Sequence, residues 1–231
     1  MLKSSLVFLL ALAAPLTAHA DAVGKLKNFI ATVRTAQANF TQEVLDAKGR
    51  RIQAASGTMQ FARPGKFRWS YRKPYEQIMV GDGVRFWLYD VDLNQVTVKK
   101  LDAALGGSPA ALLSGSHEIE RDFYLKNAGC EPRAAAEHSQ AASHVEAEQI
   151  DSCGSQNDGL EWLEARPKSQ DTSFESIRMA FDAHSDLAVM ELRDKFGHVT
   201  LLHFSDLMRN PKFPPELFKF SPPKGADVLG E

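Results

Sequence analysis

The spacing of hydrophobic positions changes once, near the start of the chain. Between residues 22 and 34, apolar residues recur every three or four positions, which predicts one amphipathic helix. From Phe40 onward the spacing becomes two, and short segments rich in aromatic and β-branched residues predict strands. The predicted strands cover residues 40–45, 57–62, 66–72, 77–80, 85–89, 95–99, 117–126, 160–166, 174–181, 187–194 and 199–207, with a last strand-like segment at 217–220.

The segments between the strands contain turn-forming residues at hairpin spacing, such as Gly81-Asp82-Gly83. Consecutive strands joined by such turns predict an antiparallel meander of about eleven strands. A second, short helix is predicted over residues 108–113, with Ser108 as N-cap and Pro109 at the first helical position. The fold class predicted is therefore α+β, with one large antiparallel sheet and a few short helices.

The first twenty residues have the pattern of a secretory signal peptide. Lys3 precedes an apolar run at residues 6–16, and the small-residue box Ala18-His19-Ala20 predicts cleavage before Asp21. The run is shorter than a membrane-spanning helix needs. A bacterial lipoprotein would carry a cysteine at the position of Asp21, so a lipid-anchored protein is disfavoured. We expect one secreted domain over residues 21–231.

Residues 128–158 do not follow either hydrophobic period. The stretch is rich in Ala, Glu, His, Gln and Ser, and we predict a mobile surface insertion. Cys130 and Cys153, the two cysteines of the chain, lie within it. In an oxidising compartment they favour a mutual disulfide, which would contribute about 3 kcal/mol by constraining the unfolded chain.

Motifs for catalysis, metals and nucleic acids are weak or absent. The formal net charge is −2, which does not suit a nucleic-acid binder. Residues 90–101 begin like a calcium loop, but Gln95 replaces the required Gly and Leu101 the required Glu. His138 and His144, together with the cysteines, match no zinc spacing. We expect no catalytic residue, no metal and no cofactor.

Aromatic residues are concentrated in the strands between Phe61 and Tyr89. Phe67 and Trp69 alternate with polar residues, so they share one face of their strand. A plain packed core explains such a face as well as a ligand cavity does. The alternation does not settle whether Phe86 or Trp87 lies on that face.

An ordered set of motifs resembles the LolA-type outer-membrane lipoprotein carriers. No single motif decides the resemblance, which extends over nearly all of residues 21–231. The segments that carry it are Ala38-Asn39-Phe40-Thr41-Gln42, Gly57-Thr58-Met59, Arg63-Pro64-Gly65-Lys66-Phe67-Arg68-Trp69, Pro74-Tyr75-Glu76-Gln77, Asp82-Gly83, Trp87-Leu88-Tyr89-Asp90, Asp92-Leu93-Asn94-Gln95-Val96-Thr97, Ser108-Pro109-Ala110-Ala111-Leu112-Leu113 and residues 218–228.

The resemblance implies an unclosed half-barrel whose concave apolar face is covered by a lid of short helices. The acyl chains of a lipoprotein would lie between sheet and lid. It also implies that Arg63 locks the lid by donating to helix carbonyls near Ile30 and near Leu113 and Ser114; without the resemblance, Arg63 would be taken as a solvated turn residue. The residues expected to line the acyl cavity are Met59, Phe61, Phe67 and Trp69.

The function implied is that of a monomeric periplasmic carrier rather than an enzyme. Its expected partners are acylated lipoproteins, an inner-membrane ABC-type releasing complex and an outer-membrane acceptor of the LolB type. Three alternatives remain at this point: a membrane-anchored acceptor, which Asp21 disfavours, an enzyme acting on lipid, and a half-barrel that binds another protein. Residues 128–158 are not part of the family pattern.

Overall fold

The computed structural model describes residues 21–101, 113–114, 119–128, 159–169 and 172–230. One large sheet dominates these residues. The helices are α1 (Ala22–Thr32) and α2 (Ile119–Asp122), with a 3₁₀ helix at Pro215–Phe218, and the strands are β1 (Thr35–Leu45), β2 (Arg51–Ala62), β3 (Lys66–Lys73), β4 (Gln77–Asp82), β5 (Arg85–Asp90), β6 (Gln95–Lys100), β7 (Phe123–Ala128), β8 (Glu161–Pro167), β9 (Phe174–Phe181), β10 (Leu187–Asp194), β11 (Val199–Arg209) and β12 (Asp227–Gly230).

The twelve strands form a single open sheet in the order β12-β6-β5-β4-β3-β2-β1-β11-β10-β9-β8-β7. Strands β1 to β6 are a meander, as the turn spacing predicts, and β7 to β11 form a second one. The long pairing of β1 with β11 joins the two halves. The unclosed sheet with few helices agrees with the predicted fold class.

Three local predictions were wrong. Residues 119–122 of the predicted strand 117–126 form α2, and β7 begins only at Phe123. The predicted strand at 217–220 is instead the end of the 3₁₀ helix and extended chain. The sheet is also not purely antiparallel, because β12 pairs with β6 in parallel. The chain passes from β11 across β1 to β6 before β12 pairs at the sheet edge, and a connection of this kind leaves no hairpin signal in the sequence.

Strands β1 and β2 are longer than predicted, since they begin at Thr35 and Arg51. The part of β1 that the sequence pattern did not predict, residues 35–39, contains Ala36 and Ala38. Their side chains lie in the core, and both are at most 1% exposed. Alanines at alternate positions fit a half-buried strand, but alanine is too weakly hydrophobic for the pattern to predict a strand from it.

Helix α1 forms because its apolar residues lie on one face and its first turn is capped. The side chain of Asp21 accepts a hydrogen bond from the backbone N–H of Gly24 at 2.9 Å, as expected of an N-cap. Leu26, Phe29 and Ile30 are buried against the sheet. The helix contacts β7, β8 and β9.

We call the face of the sheet that α1 covers the concave face and the other the convex face. The convex face is partly covered by the C-terminal segment. Phe220 contacts the rings of Trp87 and Tyr89, with centroids 5.7 and 5.9 Å apart. Val80, on the same face, is fully buried, and Phe218 is 5% exposed. The sheet therefore has apolar side chains on both faces, and only the concave one is covered by α1.

Asp82 fixes the hairpin between β4 and β5. Its Oδ1 accepts from the N–H groups of Val84 and Arg85 at 2.8 and 2.7 Å, and its Oδ2 accepts from Trp87 Nε1 at 2.9 Å. Burial raises the pKa of Asp82, but these hydrogen bonds outweigh it and hold the pKa below its ordinary value. The stabilisation is therefore present above about pH 4 and is lost as the pH falls through the lowered pKa.

We expect Asp82→Asn to lower the free energy of unfolding at pH 7, because an amide has a single, uncharged acceptor oxygen and cannot accept from both the backbone N–H groups and Trp87. The difference from the unmodified protein should shrink as the pH falls from 5 to about 2. Urea unfolding at several pH values measures this. A difference that stays constant over that range would show that the charge of Asp82 contributes nothing.

Candidate functional site: the covered concave face

The candidate site is the concave face of the sheet beneath α1. Cross-strand pairing sets Phe61 opposite Phe67 and Met59 opposite Trp69, so these four side chains share one face. Each of them is at most 2% exposed. The structure therefore brings together the four residues for which the sequence predicts a cavity lining.

The same face continues across the other strands as one apolar surface. Its members belong to a single buried cluster that extends from β3 through β1 to β8. They include Ala36, Ala38, Phe40, Leu163, Ala165, Ile177, Met179, Met190, Leu192 and Leu202, with Met79, Phe86 and Phe204 packed at its margin.

The register of β5 answers the question that alternation left open. Phe86 pairs with Gly81 and Leu88 with Met79, which places both on the concave side. Trp87 pairs with Val80 and therefore faces the convex side, where it contacts Phe220. The aromatic residues of β5 thus serve two different surfaces.

Side chains of α1 fill the space above the concave face. The ring of Phe29 lies edge-on to those of Phe61 and Phe181, with centroids 6.4 and 6.1 Å apart. Leu26 and Ile30 are at most 4% exposed beside it. A ligand on this part of the face would have to displace α1, so the structure represents a closed arrangement.

Arg63 follows β2 directly and reaches the C-terminal end of α1. Its Nη1 donates to the carbonyl oxygens of Phe29 and Ile30, each at 3.3 Å, and to that of Val33. These carbonyls lie at the helix end, where backbone acceptors lack partners and carry partial negative charge. The guanidinium also lies over the rings of Phe61 and Phe29, 4.7 and 5.5 Å from their centroids.

The electrostatics of Arg63 make this attachment weak for a charged contact. Burial, and to a smaller extent the charge of Arg34, lower the pKa of Arg63 to about 10. Its Nε and Nη2 are buried without a hydrogen-bond partner among the described residues. A guanidinium that loses hydration and satisfies only part of its donors gains little net free energy. The net contribution of this contact to the stability of the folded protein is therefore small.

Leu113 and Ser114, the other two positions expected near Arg63, are helical and at most 2% exposed. The Ser114 carbonyl accepts from the N–H of Gly65 at 2.8 Å. Within the described residues, the hydrogen bonds of Arg63 go to the end of α1 and not to this pair. Leu113 belongs to the same buried cluster as the concave face.

Polar contacts hold the other end of α1. Lys25 donates to the carbonyl of Asp182 at 2.8 Å and pairs with Glu161 at 3.0 Å. The N–H of Val23 donates to Asn127 Oδ1 at 2.8 Å. The N-terminal end of α1 is thus fixed to β7–β9 by polar contacts of its own, independent of those that Arg63 makes at the other end.

Asn210 is a contact residue that the sequence analysis missed. Its Oδ1 accepts from the N–H of Arg34 at 2.7 Å, and its Nδ2 donates to the carbonyl of Thr32 at 3.1 Å. It links the end of β11 to the junction between α1 and β1. The pair Asn210-Pro211, a turn signal, was the available sequence clue.

At the end of the concave face remote from Arg63, a pocket of about 370 Å³ opens between the ends of β1 to β5. Tyr71 lies at its base and donates its hydroxyl to Gln42 at 2.9 Å. Burial raises the pKa of Tyr71 to about 12, so this hydroxyl stays protonated at neutral pH. The rim carries the exposed side chains of Tyr75 and Leu93.

Several predictions fall outside the residues that the structure describes. They are the signal peptide at 1–20, most of the helix at 108–113, the insertion at 128–158, and the disulfide between Cys130 and Cys153. The described ranges hold no cluster of three or more His, Cys, Asp or Glu side chains placed to bind a metal. No helix within them is long and apolar enough to cross a membrane.

Known proteins resemble this chain over most of its length. The family profile described as outer membrane lipoprotein carrier protein LolA matches residues 31–150 and 139–221. A Nitrosospira multiformis protein named outer-membrane lipoprotein carrier protein is 48% identical, covering 97% of this chain and 96% of its own. One of the same name from Dechloromonas aromatica is 45% identical, covering 94% and 91%.

Among solved structures, the crystal structure of an uncharacterized conserved protein from Thermus thermophilus matches with a TM-score of 0.50 at 14% identity. The match covers 90% of this chain and 96% of that one, and it indicates a shared fold. The profile match and the two relatives together show that the chain belongs to the LolA family of outer-membrane lipoprotein carrier proteins.

Proposed function

We propose that the protein is a periplasmic carrier of acylated lipoproteins and not an enzyme. It would receive them from an inner-membrane ABC-type releasing complex and deliver them, as a monomer, to an outer-membrane acceptor of the LolB type. The observation that carries the proposal is that the concave face is continuously apolar and is covered by α1, a helix that is not part of the sheet. The names of the relatives agree with it.

The energetics of acyl chains require such a face. Each methylene contributes about 0.8 kcal/mol on burial, so a chain of roughly fifteen methylenes contributes about 12 kcal/mol. A bare lipoprotein would therefore not cross an aqueous compartment at a useful rate. A carrier has to offset most of that cost and still release its cargo, which favours a surface that is covered when empty.

In the closed arrangement, α1 occupies the face that acyl chains would bind, and this competition favours release of the cargo. Phe29 packs edge-on against Phe61, and Ile30 is buried in the same cluster, on the face where acyl chains would lie. Binding of cargo then requires α1 to lift, and its return helps to expel the chains. In this cycle Met59, Phe61, Phe67 and Trp69 contact the chains, and Arg63 sets the balance between open and closed forms through the carbonyls near Ile30. Leu113 and Ser114 would belong to the second part of the lid.

Two measurements test this function. The protein purified from the periplasmic fraction of its source is expected to begin at Asp21 and to yield acylated lipoprotein by mass spectrometry. Incubated with membranes that hold a labelled lipoprotein and a releasing complex, it should form a one-to-one complex without chemical change to the lipid. Recovery of no acylated protein from either experiment would contradict the carrier function, and modified lipid would favour an enzyme.

A further inference from the structure

Two glycines on the concave face do not owe their identity to backbone conformation. Gly57 in β2 and Gly81 in β4 both lack the positive φ at which glycine is favoured. In a strand interior glycine costs stability, so each position needs another reason. For Gly57 the reason lies in the backbone, since an added Cβ would lie 2.1 Å from the carbonyl oxygen of Ser70.

Gly81 differs, because only a side chain opposes a Cβ there. The three nearest atoms to that Cβ all belong to the ring of Phe67, at 2.4, 2.7 and 3.0 Å. The ring of Phe67 therefore lies directly across the backbone of β4. The ring can take this position because residue 81 has no side chain.

Phe86 approaches the same glycine from the other side. Strands β3 and β5 flank β4, so their backbones lie about 10 Å apart. The ring centroids of Phe67 and Phe86 are only 6.2 Å apart. The two rings therefore lean towards each other over Gly81 and lie along the sheet instead of standing up from it.

We propose that Gly81 is a specificity-determining position of the acyl site, because it lets Phe67 and Phe86 form a low floor and so sets the depth of the space above β3–β5. This inference rests on the proposed carrier function. A deep space accommodates the bulk of several acyl chains joined at one cysteine, whereas a single chain needs less room. A larger residue at 81 would raise the Phe67 ring and remove depth without removing apolar surface.

The test compares two fluorescent synthetic peptides that differ only in acylation, one bearing a tripalmitoylated cysteine and one a single palmitoyl chain. Fluorescence anisotropy gives Kd for each with the mature protein. For Gly81→Val we expect Kd of the tripalmitoylated peptide to rise at least tenfold and that of the monopalmitoylated peptide to change less than twofold. Gly81→Ala should show the same selectivity with a rise of about threefold.

Two further variants separate the floor effect from general damage. Ser70→Val enlarges a side chain on the opposite face of β3 and should change neither Kd. Adding Phe67→Leu to Gly81→Val shortens the displaced side chain and should restore most of the affinity for the tripalmitoylated peptide. If Gly81→Val does not fold, Gly81→Ala and its combination with Phe67→Leu decide the question.

Equal loss of both peptides, or unchanged binding of the tripalmitoylated peptide by a folded Gly81 variant, would overturn the proposal. If the unmodified protein bound neither peptide, the carrier function itself would fail. The two failures are therefore distinguishable.

Discussion

Arg63→Leu is expected to load cargo at least as well as the unmodified protein and to deliver it poorly. The variant loses the hydrogen bonds from Nη1 to the carbonyls at the end of α1. Because desolvation of the guanidinium offsets much of their strength, these hydrogen bonds contribute about 0.5–1.5 kcal/mol net, which shifts the ratio of open to closed forms by about 2- to 12-fold. Apparent Kd for acyl chains should fall by a similar factor, because less of the protein is closed. A two-membrane transfer assay should then show loaded carrier accumulating.

Folding of this variant should change little, because the cost of burying the guanidinium disappears together with its hydrogen bonds. We expect the free energy of unfolding to fall by no more than about 1.5 kcal/mol, the net contribution of the contact. Arg72→Leu, at an exposed position of β3, is the matched control and should transfer normally. Transfer by Arg63→Leu at the rate of the unmodified protein would refute the lock.

Phe29→Ala and Trp69→Ala are both expected to destabilise the protein. Their effects on acyl binding should differ, because Phe29→Ala should strengthen it and Trp69→Ala should weaken it. Both side chains are buried in one cluster, and each truncation should lower the free energy of unfolding by about 3–5 kcal/mol. Phe29 belongs to the cover, so its loss weakens the closed form and should lower Kd for a palmitoylated peptide by tenfold or more. Trp69 belongs to the floor, so its loss should raise that Kd by a comparable factor.

Urea unfolding and anisotropy with the same peptide measure the two effects. Phe181→Ala provides a control, because it also contacts Phe29 but lies in β9, away from β2 and β3. It should destabilise the protein and lower Kd less than Phe29→Ala does. If Phe29→Ala and Trp69→Ala both weakened binding, α1 would be a permanent part of the acyl site instead of its competitor.

Much of the fold follows from local signals in the sequence. Strands β9 and β10 have the predicted bounds, because each is a short segment rich in apolar residues that ends at a turn, beginning at Asp182 and at Lys195 respectively. β1 begins earlier than predicted, since Ala36 and Ala38 are too small to register as apolar positions. The parallel β12 is set by tertiary pairing with β6, which no local pattern encodes.

The candidate site was partly accessible from sequence in the same way. Alternation places Phe67 and Trp69 on one face, and the register confirms that they share it. Arg63 was singled out only by resemblance to a family, because an arginine before a proline is otherwise an ordinary turn residue. Its role as lock and those of the lining residues stay predictions until variants are measured.

What the sequence did not reveal depends on contacts between distant residues. Gly81 carries no positive φ, and its effect on Phe67 exists only across the paired strands. Asn210 contacts Thr32 and Arg34 across more than 170 positions. The face assignment of Phe86 against Trp87 needed the register with β4, because both parities of β5 are aromatic.

The three tryptophans of the chain allow a direct test of where acyl chains lie. Trp69 is on the concave face, whereas Trp87 packs against Phe220 on the convex face and Trp162 belongs to a separate convex cluster. Variants that retain one tryptophan each, with phenylalanine at the other two positions, would be saturated with a lipopeptide whose acyl chains carry bromine atoms, which quench indole fluorescence on contact. The account predicts strong quenching of Trp69 and unchanged emission from Trp87 and Trp162. Formation of the complex with Trp69 unquenched, or with the convex tryptophans quenched equally, would contradict it.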